Sequence, residues 1–166
     1  MELVQVWAAR LASEVAPEEV DLAPAMALAF VQGGPARQEL FRRSEGGVPG
    51  AFTPGGLPVL MPWVLDALAA AAPLLLSILV SGNAERVLRA VRDLLAIRDS
   101  LGAKKRPAST SPNAYAPLRQ VVEVMSRELG AARVPPEQAE VIVFRVLRVL
   151  LEDPAGATAF VRQVGR

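Results

Sequence analysis

The chain has 166 residues, 52% of them apolar, with mean hydropathy +0.31 and a formal charge of +1 from 18 basic and 17 acidic side chains. That length suffices for one domain with its own core, and a charge near zero supplies no field to draw nucleic acid. With neither Cys nor His, disulfides, thiol nucleophiles, thiolate or imidazole metal sites and the commonest general base are excluded together.

The apolar share exceeds the roughly 45–50% usual in a soluble domain, and the surplus calls for cover by a partner chain, a second copy or lipid. Lys104 and Lys105 are the only lysines. That arginine bias, with abundant Ala, Val, Leu and Pro, is what a GC-rich bacterial genome encodes. The start of the chain lacks a basic stretch and soon carries Arg10, Glu14, Glu18 and Glu19, so no secretory signal is read there.

In chain order, Leu3, Val4, Trp7, Ala8, Leu11 and Val15 share one helical face, with Glu2, Gln5, Arg10 and Glu14 mostly opposite. Pro17-Glu18-Glu19 reads as the next helix start, its carboxylates placed to favour the dipole. That helix is kinked or split at Pro24 and ends at Gly33-Gly34. A short helix follows over 35–43. Residues 45–58 hold five Gly and three Pro and read as a loop. A central apolar segment, 60–80, is interrupted by Pro73, and Ser81-Gly82-Asn83 turns the chain into a clean amphipath, 84–101, with Val87, Leu88, Val91, Leu94, Leu95 and Leu101 inward. Residues 103–113 are the best linker, polar and rich in Pro and Ser. Helices are expected over 114–129 and 136–152, with a last one from Pro154. No stretch alternates with period two. The fold class is all-α, a compact bundle of about six to eight helices in a single domain, 1–166.

The two ends echo one another. Val15 to Glu19 aligns without gaps on residues 134–138, and at the same offset Pro35-Ala36 falls on Pro154-Ala155, Phe41 on Phe160 and Arg43 on Arg162. Residues 1–44 and 114–166 therefore read as two similar three-helix units flanking a central helix pair, 59–102. The other reading is that Pro-Glu starts and apolar stripes recur by chance.

Residues 46–84 contain one charge, Asp66. Residues 62–80 approach the roughly 20 that span a bilayer at about 1.5 Å each. Pro62, Pro73 and four consecutive alanines argue against a span, as does Asp66, which costs about 2.5–3.5 kcal/mol at a membrane helix centre. A buried core helix accounts for the same pattern. If Asp66 is itself buried it needs a cation, and Arg86 or Arg89 is nearest in sequence; the plainer expectation is an exposed turn or a bond to a neighbouring helix.

The glycine-rich loop lacks the Gly-Lys-Ser/Thr ending of a phosphate loop and follows no strand. The pairs Glu18/Glu19 and Glu152/Asp153 have no companion to tune one acid against the other. Lys104-Lys105-Arg106 follows a helix end, where cations suit the dipole. No catalytic, metal-binding or cofactor-binding residues are assigned, and no small-molecule or nucleic-acid ligand is expected. Helix 136–152 leaves only Arg145 and Arg148 polar within it and reads as a core helix or half of an oligomer seam. The expected function is a self-associating helical protein–protein interaction module, cytoplasmic and non-enzymatic. Its candidate surface is Trp63, Leu74, Leu75 and Ile78 in the centre, with Phe144 and Val146 near the C-terminus. The alternative is a membrane-associated protein that inserts 60–80.

Overall fold

The first apolar stripe folds as α1 (Glu2–Val15), with Val4, Trp7, Leu11 and Ala12 buried. The computed structural model describes residues 2–45, 59–101 and 116–166. Residues 46–58 of the expected loop and the linker with Lys104-Lys105-Arg106 lie outside the described residues.

Pro17–Glu19 forms only a short 3-10 turn, where the sequence predicts an α-helix. The helix starts later, as α2 (Ala23–Gln32), with Pro24 in its first turn. Proline lacks the N–H that a helix start leaves unpaired, so Pro24 begins a helix rather than kinking one. Gly33 and Gly34, at φ 71° and 53°, lead into α3 (Gly34–Glu45). Next, α4 (Met61–Val80) runs unbroken through Pro73, which corrects the expected interruption. The remaining helices are α5 (Ala84–Leu101), α6 (Ala116–Ala131), α7 (Pro136–Glu152) and α8 (Pro154–Val164). The Asp153 carboxylate caps α8, accepting the Gly156 N–H at 3.0 Å. Among the described residues the fold is all-helical, an eight-helix bundle as expected.

Two helices act as hubs. α4 lies along α6 and α8 and also touches α2 and α3, while α7 meets α1, α5, α6 and α8. Because α6 and α8 touch both hubs, the core is continuous. Leu65, Leu68 and Leu75 of α4 and Leu147 and Leu150 of α7 are fully buried, each contributing about 1.5–3 kcal/mol by leaving water. The expected central pair separates, since α5 packs on α7 and hardly on α4. Within each end the first helix packs on the next, α1 on α2 and α6 on α7, but their other partners differ: α1 meets α7, and α6 lies along α4. Their aligned phenylalanines differ too. Phe160 stacks on Trp7 at 5.7 Å, while Phe41 meets Trp63 edge-on at 5.0 Å.

Ion pairs set the register of α1, α5 and α7. Glu152 accepts from both Arg10 and Arg92 at 3.3 Å, and Arg98 meets Glu140 at 2.9 Å. Arg148 bonds the Glu14 carboxylate, and Arg145 donates to the Glu14 carbonyl at 3.2 Å. The arginine stripe of α7 thus meets the end of α1, where helix carbonyls need donors. Each exposed pair contributes only about 0–1 kcal/mol, so alignment rather than stability is its main effect.

Two glycines give opposite expectations. A Cβ on Gly156 meets the Asp153 carboxylate and lies 3.0 Å from Trp7 Cζ2, whereas one on Gly130 enters open space. Gly156→Ala is expected to cost about 1–2 kcal/mol by displacing the cap and crowding Trp7. Gly130→Ala is expected to gain about 0.5–1 kcal/mol from helix propensity. Thermal denaturation followed by circular dichroism checks both signs; a stabilising Gly156→Ala contradicts this account of the α8 start.

Candidate interaction surface

The structure divides the sequence-predicted surface. Leu75, Ile78, Phe144 and Val146 are buried in the core and present nothing to a partner, which corrects their assignment as contact residues. Their faces are taken by neighbouring helices that local periodicity does not reveal. Trp63 and Leu74 are partly exposed. Asp66 does not form a buried pair with Arg86, which is exposed on α5. It pairs instead with Arg37 of α3 at 2.6 Å, and that guanidinium also sits 4.0 Å over the Phe30 ring. The reason is topological: α3 folds over the first turns of α4, while α5 turns away to α7.

The start of α4 is held by a residue the sequence assigned elsewhere. Glu19 is buried, and its carboxylate accepts the N–H groups of Leu60 at 2.6 Å and Met61 at 2.9 Å. Instead of favouring its own helix, Glu19 caps another one 41 residues away. Burial of the carboxyl pushes its pKa above the ordinary 4.5; the two N–H donors pull it back, and neighbouring Glu18 adds an upward push.

Beyond Asp66 the outer face of α4 is uncovered. Ala70, Pro73, Ser77 and Val80 are exposed at intervals of 3, 4 and 3 residues, which is one helical stripe. Val80 is 65% exposed. The Ser77 hydroxyl donates to the Leu74 carbonyl at 2.7 Å, so it is satisfied within the helix. Pro73 has no N–H to offer the Ala69 carbonyl, which leaves that acceptor without its usual helical partner. Along one side of the stripe runs a groove of about 420 Å³ between α4 and α8, lined by Ala69, Ala72, Pro73, Leu76, Arg162 and Arg166 among others. A Cβ on Gly165 would lie 2.6 Å from Ala72 Cβ, so the end of α8 approaches α4 as closely as glycine permits. Arg162 and Arg166 are exposed, and neither has an ion-pair partner among the described residues.

No family model matches the chain, and neither curated proteins nor solved structures give a match. The geometry has to be read from its own chemistry. A second cleft of about 350 Å³, lined by Ser13, Glu14, Pro17, Leu95, Arg145 and Arg148, is polar, but Glu14 already engages both of its arginines. Among the described residues no three carboxylates gather to hold a metal ion. The α4–α8 groove sets an exposed apolar stripe beside two arginines that have no ion-pair partner among the described residues. Arg162 and Arg166 were visible in the sequence, but nothing local placed α4 beside them.

The cap makes a pH prediction. A carboxyl whose pKa is higher in the fold than in the unfolded chain gives up stability as pH rises from the ordinary value through the folded one. The wild-type Tm minus that of Glu19→Gln, which does not titrate, is expected to fall as pH rises above about 4.5, then level off. Glu19→Ala leaves both N–H groups unpaired and is expected to cost about 2–3 kcal/mol, a Tm drop of roughly 5–10 °C. Calorimetry across pH reads both, and a difference that grows with pH contradicts the raised pKa.

Proposed function

We propose that this chain works by binding another protein, as a non-enzymatic adaptor, regulatory or assembly subunit, and that the outer stripe of α4 beside α8 is its contact surface. The stripe itself carries this reading. A helix apolar all round is covered all round when its bundle is complete, yet Ala70, Pro73 and Val80 of α4 stand in water. Protein interfaces combine an uncharged core with a polar rim. Here the stripe supplies the first, and Arg162 and Arg166 supply the second.

A second reading places α4 in a bilayer. It has 20 residues and mean hydropathy 2.1 and is long and apolar enough to cross one, although half of its apolar window is buried in the bundle. Insertion requires α4 to leave α6 and α8 and exposes the core they share, whereas a protein partner leaves the bundle intact. The protein reading is therefore the less costly.

Replacing Ser77 with a photo-crosslinking amino acid in cells is expected to give discrete protein adducts that Ala70→Arg abolishes. The same probe at Arg127, exposed on α6, is expected to give none of them. The chain is expected to fractionate without detergent. Identical adducts at both sites, or recovery only with membranes, overturns the proposal.

A further inference from the structure

The groove between α4 and α8 has a charge pattern as well as a shape. Its floor, formed by Ala69, Ala72 and Pro73, is apolar, and Arg162 and Arg166 stand on the α8 side, four residues apart. Residues 67–80 of α4 carry no charge, and α8 contains no acidic side chain. A second copy laid on the stripe thus brings no carboxylate from either helix. In an antiparallel two-fold pairing it also sets the arginines of both copies on the same side of the seam, cation toward cation. The exposed side chains of the stripe, Ala70, Pro73, Ser77 and Val80, are short. An interfacial membrane anchor relies on Trp, Phe or Leu, whereas short side chains allow another helix to lie close.

Resting on the proposal that this face binds protein, we infer that the groove takes an amphipathic α-helix of a partner protein. Its apolar face lies against Ala70, Pro73 and Val80, and it carries two carboxylates one turn apart that pair with Arg162 and Arg166. Residues 70–80 span about 15 Å along the axis of α4, so the stripe engages roughly three turns of the partner. The apolar contact supplies the affinity, and the two ion pairs at the rim set orientation and exclude basic helices.

A phage-displayed library of 16-residue helical peptides tests this, with a fixed apolar stripe and randomised flanking positions, selected on the intact chain. Wild type is expected to enrich Asp and Glu one turn apart on one flank. Arg162→Glu with Arg166→Glu is expected to enrich Lys and Arg at the same positions. A selected acidic peptide is expected to lose about 3- to 10-fold in Kd on Arg162→Ala with Arg166→Ala, and all measurable binding on Ala70→Arg. These positions are exposed, so an unchanged Tm shows that each variant is folded. Peptides blocked by Ala70→Arg but without acidic preference overturn the inference and leave the binding face standing. Peptides indifferent to Ala70→Arg overturn both. A dimer in light scattering that Ala70→Arg dissociates overturns the inference in favour of a second copy. Binding to phosphatidylserine vesicles with no peptide selected overturns it in favour of a membrane.

Discussion

Two hydrogen bonds from the first residues of α4 to the Glu19 carboxylate are the constraint on which the arrangement rests. The first four N–H groups of a helix have no partners within it, and Leu60, the residue before α4, supplies no side-chain cap. Glu19 lies in the turn between α1 and α2, so the bonds that satisfy this helix start also pin the central helix to the first third of the chain. That anchor places Trp63 under Phe41 and Asp66 beside Arg37, and α3 is held over the first turns of α4. The exposed stripe begins where this cover ends.

The helices themselves were legible, because an amphipathic face is a local property with a fixed period. The bounds of α5 and α7 fall where the sequence places them, and Gly33-Gly34 separates two helices as read. The same local rules miscast Pro24 and Pro73. A proline speaks to its own backbone bond, and whether the chain starts, stops or continues there is decided by what the neighbouring turns gain from packing. The candidate surface fared worse for a related reason. Periodicity says that Leu75, Ile78, Phe144 and Val146 are apolar, and only the third dimension says that α6, α8 and the rest of the core already cover them. Asp66 found its cation 29 residues upstream, beyond the reach of sequence proximity.

The arginines are distributed unequally over the bundle. On the side formed by α1, α5 and α7, Arg10, Arg92, Arg98, Arg145 and Arg148 are all engaged with Glu14, Glu140 or Glu152. These pairs align the three helices. Arg162 and Arg166 have no ion-pair partner among the described residues, and they border an uncovered part of α4.

The contacts of α1 with α7 and α8 bear on how the chain is made. Trp7 stacks on Phe160, and Arg10 reaches Glu152, so part of the cover of α1 comes from helices far downstream of it. At about 5–20 residues per second the delay lasts roughly 7–30 s, during which the part of the apolar face that α2 does not cover is in water or in the hands of a chaperone. Closure of the bundle therefore waits for α8, and α1 is the natural place for misassembly to begin.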